Sequence, residues 1–182
     1  MARITGLELP IPWDGFGWPS EPLLNGITLT TGDPKWTWDP TPPRLAVPAR
    51  PHHEGVFVDR WVIDHVVLLV PSLESAIGTL AEAGLVPRLR MQVRERPAAF
   101  FRAGPVLEVI EAPVRNDALY GIAVATTEAL DAVALNWRAR GLAVGEVKRA
   151  IQPGRRIFTV HDLDAGFAVM SADRQVQPAD LG

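Results

Sequence analysis

One supersecondary pattern occurs twice in this chain, and a duplication of that size leaves few folds open. The first copy runs from Asp64-His65-Val66-Val67-Leu68-Leu69-Val70 into Ser72-Leu73-Glu74-Ser75-Ala76-Ile77-Gly78-Thr79-Leu80 and stops at Gly84-Leu85. The second runs from Tyr120-Gly121-Ile122-Ala123-Val124-Ala125-Thr126 through Glu128 to Ala139 and stops at Gly141-Leu142. Leu73, Ala76, Ile77 and Leu80 recur as Leu130, Val133, Ala134 and Trp137, each 57 residues further on. Their i, i+3, i+4, i+7 spacing is the stripe of a helix packed on a sheet. Each copy thus predicts an apolar strand, a helix and a glycine stop. A period this long, used only twice, is no solenoid. It predicts an internally duplicated domain with its ligand site between the halves, so what differs between the copies bears on function.

Each helix is followed by three short strand candidates: Arg88–Val93, Ala98–Ala103 and Val106–Glu111 in the first copy, and 143–149, 155–160 and 166–172 in the second. Both units then read βαβββ, over 61–112 and 119–172. Ser72 is the expected N-cap of the first helix, and Asp162-Leu163-Asp164-Ala165-Gly166 is the last tight turn. Alternation over Val56–Val70 places Ile63, His65, Val67 and Leu69 on one face and Asp64, Val66 and Leu68 on the other.

Residues 1–60 have a different composition. They hold ten of the 17 prolines and four of the six tryptophans. Pro40, Pro42, Pro43, Pro48 and Pro51 argue against regular structure there. Trp13, Phe16, Trp18, Trp36 and Trp38 argue against a disordered tail. The expectation is an irregular arm lying across a domain of residues 61–173, covering core, a dimer surface or a ligand pocket, with a C-terminal tail over 174–182.

The net charge of −3 gives no field for a phosphate backbone and excludes nucleic acid as an expected partner. No apolar run is long enough for a membrane span, and Pro10, Pro12, Asp14 and Gly15 interrupt any signal-like stretch, so a cytoplasmic location is expected. The chain has no cysteine, which removes disulfides, thiolate nucleophiles and cysteine metal sites.

The paired βαβββ units carry motifs that resemble the vicinal oxygen chelate superfamily, which includes glyoxalase I, extradiol dioxygenases and bleomycin-resistance proteins. Asp64-His65-Val66-Val67-Leu68-Leu69-Val70-Pro71-Ser72-Leu73 is similar to its first-strand signature. Leu107-Glu108-Val109-Ile110-Glu111 is similar to its fourth-strand signature, and Asp162-Leu163-Asp164-Ala165-Gly166-Phe167-Ala168-Val169 to the turn before its last strand. The resemblance implies an α+β fold in which two βαβββ units form a curved, cup-like mixed sheet holding one metal ion. It implies His65 and Glu108 as the first half's metal ligands. In the second half Gly121 and Val169 stand where the other two ligands would be. Two ligands do not make a zinc-type site, so no cofactor is expected beyond a weakly held divalent ion (Mn, Fe, Ni or Zn). A homodimer is a further expectation from the resemblance.

Read without the resemblance, His65 and Glu108 lie in apolar strands, on the side of Val67, Leu69 and Ile110. A buried His–Glu pair favours an imidazolium–carboxylate pair or a neutral imidazole oriented by a carboxylate, and either can move a proton. The bland alternative is a hydrogen-bonded core histidine with Glu108 paired to an arginine. Around them, Phe101, Arg90 and Arg102 are candidate pocket residues, His161 a candidate rim residue, and Trp36 and Trp38 candidate stacking surfaces. Three functions stay open: a small-molecule enzyme of isomerase, lyase or cyclase type using His65 with Glu108; a ligand-sequestering protein; and a divalent-metal-dependent lyase or dioxygenase.

Overall fold

The computed structural model describes residues 1–172, and the tail expected over 174–182, with the last residue of the expected 61–173 domain, lies outside the described residues. The N-terminal region is a sheet. Strands β1 (Arg3–Leu9), β2 (Pro22–Leu24), β3 (Ile27–Thr31), β4 (Lys35–Asp39) and β5 (Val56–Phe57) pair in the order β4-β1-β3-β2-β5. This corrects the irregular arm. The prolines fall in the connections, except Pro22, which opens β2, where a missing N–H is tolerated. The strands left between them are two to seven residues long.

The duplicated units follow. The first comprises β6 (Trp61–Val70), α1 (Leu73–Glu82), β7 (Leu89–Val93), β8 (Arg96–Arg102) and β9 (Val106–Glu111). The second comprises β10 (Ala118–Thr126), α2 (Leu130–Ala139), β11 (Lys148–Arg149), β12 (Arg156–Val160) and β13 (Gly166–Ser171). They make one mixed sheet in the order β11-β12-β13-β10-β6-β9-β8-β7. The halves meet at the antiparallel β6–β10 pair, flanked on each side by a parallel neighbour, β9 and β13. The strand read from Val56 begins only at Trp61, and the one read over 143–149 shrinks to two residues plus a bridge from Val144 to Val160.

Both helices end in the same way. Leu85 N–H donates to Leu80 O and Gly84 N–H to Ala81 O; Leu142 N–H donates to Trp137 O and Gly141 N–H to Arg138 O. These are paired Schellman closures, and Gly84 and Gly141 take the required positive φ of 78° and 87°. Ser72 Oγ caps α1 by accepting from Ser75 N–H.

The helices cover only the flanks of the large sheet, α1 over β8 and β9, α2 over β12 and β13. The N-terminal region packs on the same face. Trp13, Phe16 and Trp18 pack on Trp61, Trp137 and Phe167; Phe16 and Trp137 ring centroids are 4.6 Å apart, Trp18 and Trp61 4.9 Å, Trp13 and Phe167 5.6 Å. Ile4 N–H donates to Ala103 O, and Ile4, Leu7, Leu9, Leu24 and Leu29 are buried in one core with Val66, Leu68, Ile122 and Val124. The N-terminal sheet therefore supplies core, and among the described residues the opposite face of the large sheet carries none of this packing.

Candidate functional site

That opposite face is set by register. β9 runs parallel to β6 with His65 beside Val106, Val67 beside Glu108 and Leu69 beside Ile110. β8 adds Phe100 beside Glu108 and Arg102 beside Val106. His65, Val67, Leu69, Glu108 and Ile110 share this face, as the sequence predicts. Ile63 does not. One extra residue, Asp64, sits in β6 where His65 pairs with Ala123 and Ile63 with Val124. This β-bulge reverses the alternation, so Trp61 and Ile63 turn into the core and Asp64 comes round beside His65.

The bulge builds a chain of polar contacts. Asp64 Oδ2 lies 2.9 Å from His65 Nδ1, and Asp64 Oδ1 accepts from an Arg155 guanidinium N–H at 2.7 Å. Arg155 Nε–H in turn donates to Ser171 O at 2.7 Å. On the other side, His65 Nε2 lies 3.5 Å from Glu108 Oε2. The side chains of His65, Asp64 and Arg155 are about one-fifth exposed, and Glu108 less. Burial alone would raise the Asp64 pKa, but the hydrogen bonds from His65 and Arg155 and their charges outweigh it and hold the carboxyl below its ordinary value. An ionised Asp64 keeps the imidazole hydrogen on Nδ1 and leaves Nε2 facing Glu108. Burial raises the Glu108 pKa, against the charges of His65 and Arg94.

The two carboxyls that flank the His65 ring are thus driven apart in acidity, the pattern that separates acid and base roles in a site. The raised Glu108 also has a measurable consequence. A carboxyl bound more tightly by its proton in the folded state favours folding below its ordinary pKa of 4.5, and that contribution is lost as pH rises through the folded value. Glu108→Gln should therefore raise the melting temperature at pH 7.5 and change it little at pH 4. A variant less stable than the parent at pH 7.5 would contradict the assignment.

The second half offers no matching ligands. The Asp64 bulge in β6 has a counterpart at Tyr120, where β10 carries the extra residue, so Gly121 is the counterpart of His65. Following the parallel partners, Ala168 rather than Val169 is the counterpart of Glu108. Val169 is fully buried on the core face, opposite Phe158 in β12. Gly121 has no room for a side chain, because a Cβ there would collide with the Gly166 carbonyl across the β10–β13 pair. Gly121→Ala should cost about 1–3 kcal/mol through overpacking, read as a lowered denaturant midpoint. Among the described residues no group of three or more His, Asp or Glu side chains is placed to hold a metal ion. The donor set therefore does not fit the family's chelated metal.

Other candidates fall elsewhere. Phe101 is buried in the core, while its neighbour Phe100 is the half-buried ring beside Glu108. Arg90 turns toward α1 and pairs with Glu74 at 2.6 Å. Arg102 is exposed on the face that carries His65, in line with Val106 and His65. His161 is exposed and lies against Gly145. Trp36 and Trp38 are buried in the N-terminal sheet, ring centroids 5.2 Å apart, with no surface for stacking a ligand. Asp64 and Arg155 were not legible as site residues. Asp64 adjoins His65 in sequence, but regular alternation puts it on the wrong face.

No family model matches the sequence, and no curated protein matches it. Solved structures do match. A methylmalonyl-CoA epimerase from Mycobacterium tuberculosis aligns with 66% of this chain and 91% of its own, at 15% identity and a TM-score of 0.50. A hypothetical protein from Bacillus halodurans C-125 aligns over 64% and 98%, at 13% identity and a TM-score of 0.52. A further methylmalonyl-CoA epimerase aligns over 63% and 97%, at 17% identity and a TM-score of 0.51. At these identities the likeness is one of fold: the chain has a glyoxalase-like α+β fold, preceded by a five-stranded sheet.

Proposed function

We propose that this protein is an acid–base enzyme acting on a small organic molecule, moving a proton at a carbon next to a carbonyl group. The observation that carries the reading is the His65–Glu108 pair, 3.5 Å apart on the face opposite the core and braced by Asp64 and Arg155. Proton transfer needs groups within reach of one substrate atom, with acidities tuned near the working pH. Burial makes Glu108 a stronger base than an exposed carboxylate.

In this reading the Glu108 carboxylate takes the proton from carbon, and the C–H electron pair moves onto the carbonyl oxygen. Doubly protonated His65, with its Nδ1–H held by Asp64, donates Nε2–H to that oxygen. It returns a proton to carbon as the electron pair leaves the oxygen, and Glu108 then passes the abstracted proton to the imidazole 3.5 Å away. Val67, Leu69, Ile110 and Phe100 exclude water from the charge that develops. The isomerase type is favoured because the solved structures of like fold include epimerases. No step requires the metal whose ligands the second half lacks. A sequestering role through Trp36 and Trp38 loses its support, since both rings are buried.

The test is solvent exchange. The protein is incubated in deuterium oxide with a panel of 2-substituted carbonyl acids and esters, and deuterium at the carbon next to the carbonyl is followed by NMR. Enzyme-dependent exchange on at least one member is expected. Exchange on none, or exchange that survives Glu108→Gln with His65→Gln, would remove the proposal.

A further inference from the structure

We propose that the cavity beside the pair is an anion subsite, in which Arg88 and Arg102 receive a carboxylate or phosphate on the far end of the ligand. The cavity measures about 270 Å³ and is lined by Arg88, Phe100, Phe101, Arg102 and Val106. It is contiguous with the pair by register: Val106 is the β9 partner of His65 and also of Arg102 in β8, and Phe100 is the partner of Glu108.

The two arginines at this cavity have no counter-charge among the described residues, unlike several others. Arg90 pairs with Glu74, Arg155 with Asp64, Arg156 with Asp131 and Arg3 with Asp39. Among the described residues, Arg88 and Arg102 make neither an ion pair nor a side-chain hydrogen bond, and both are exposed at the same small cavity. The Arg88 backbone is fixed there, its N–H donating to Phe100 O at 2.8 Å. Two cationic side chains lining one cavity without a counter-charge repel one another, and an anion received there would relieve the repulsion and use their planar forks. Phe100 and Val106 give the connecting part of the ligand an apolar bed.

Spacing sets the ligand's length. From Val106 to Glu108 is two residues, or about 7 Å along a strand. An anionic group on the arginines thus lies roughly one short carbon chain from the atom Glu108 would attack. The substrate class is a small organic acid or phosphate ester with its reactive carbonyl several bonds from the anion. Only this last step, the location of the reacting carbon, rests on the acid–base reading; the anion subsite does not.

Binding of simple anions tests it independently of turnover. The full chain, labelled for arginine Nε–Hε NMR, is titrated at constant ionic strength with inorganic phosphate, with butanoate, and with chloride as reference. Saturable shifts at Arg88 and Arg102 are expected from phosphate or butanoate beyond those from chloride. The tighter of the two identifies phosphate or carboxylate as the recognised group. The double variant Arg88→Gln, Arg102→Gln should weaken that binding about tenfold or more, since it removes charge-assisted hydrogen bonds. His65→Ala should leave it within about twofold, because the imidazole does not line the cavity. No saturation by either anion, or equal binding by the double variant, would overturn the inference while leaving the proton-transfer proposal standing. Anion binding without any exchange activity would do the reverse.

Discussion

His65→Ala should slow carbon-proton exchange by about 10²- to 10⁴-fold, the usual contribution of a positioned acid–base group. The fold should survive. The imidazole is about one-fifth exposed, and its strand is held by the β6–β9 and β6–β10 ladders, which the substitution does not touch. A melting temperature within a few degrees of the parent, together with the lost exchange, is the expected combination. Asp64→Asn should act on the same step indirectly. The amide carries no charge to stabilise the imidazolium that donates from both ring nitrogens, so the form that returns the proton is depleted. A loss of about 10²-fold is expected, with a shifted pH–rate profile that a purely structural role would not produce. The same substitution alters acid stability. The Asp64 carboxyl is held below its ordinary 3.8, so its interaction with Arg155 and His65 stabilises the fold above that value and is lost as pH falls through the folded value. The parent should therefore lose stability in strong acid faster than Asp64→Asn, which has no such group to protonate. Identical acid limbs for the two proteins would count against the bracing role.

Trp137→Ala should cost about 3–5 kcal/mol, the largest stability effect expected of any single substitution in this chain. Trp137 is buried on α2 and meets five rings, Phe16, Trp18, Trp61, Phe158 and Phe167, with Trp13 one ring further through Phe16 and Phe167. It is stacked on Trp61 at 5.6 Å and on Phe167 at 6.0 Å, while Phe16 meets it edge-on at 4.6 Å. Removing it opens a cavity at the junction of α2, the large sheet and the N-terminal region. None of these three can collapse into it without losing other contacts. Chemical denaturation should show one cooperative transition at a lower midpoint. A loss below about 1 kcal/mol would mean the N-terminal region packs only loosely on the large sheet.

The duplicated units were legible because each is governed by local chemistry. The Leu73-Ala76-Ile77-Leu80 stripe, the Ser72 cap and the Gly84 and Gly141 closures all depend on residues a few positions apart. The N-terminal sheet was not legible. Proline density pointed to irregularity, yet the prolines occupy the connections and leave strand-length tracts such as Ile27–Thr31 between them. Pairing of β1 with β3 and β4 joins segments brought together only by the sheet. Trp36 and Trp38 read as candidate stacking surfaces for the same reason, since only that sheet buries them.

The sequence by itself determined the two βαβββ units, the place of His65 and Glu108 on one face with Val67, Leu69 and Ile110, and the absence of a ligand-bearing side chain at Gly121. All of these follow from short-range periodicity, or from residue identity alone. The tertiary structure decided which neighbours complete the pair. Asp64 joins His65 through a one-residue bulge whose only sequence trace is a break in alternation. Arg155 arrives from a turn 91 residues away. It also moved the counterpart of Glu108 from Val169 to Ala168, and set the unpaired Arg88 and Arg102 at one cavity. A bulge is a property of two strands pairing, and neither strand carries it alone.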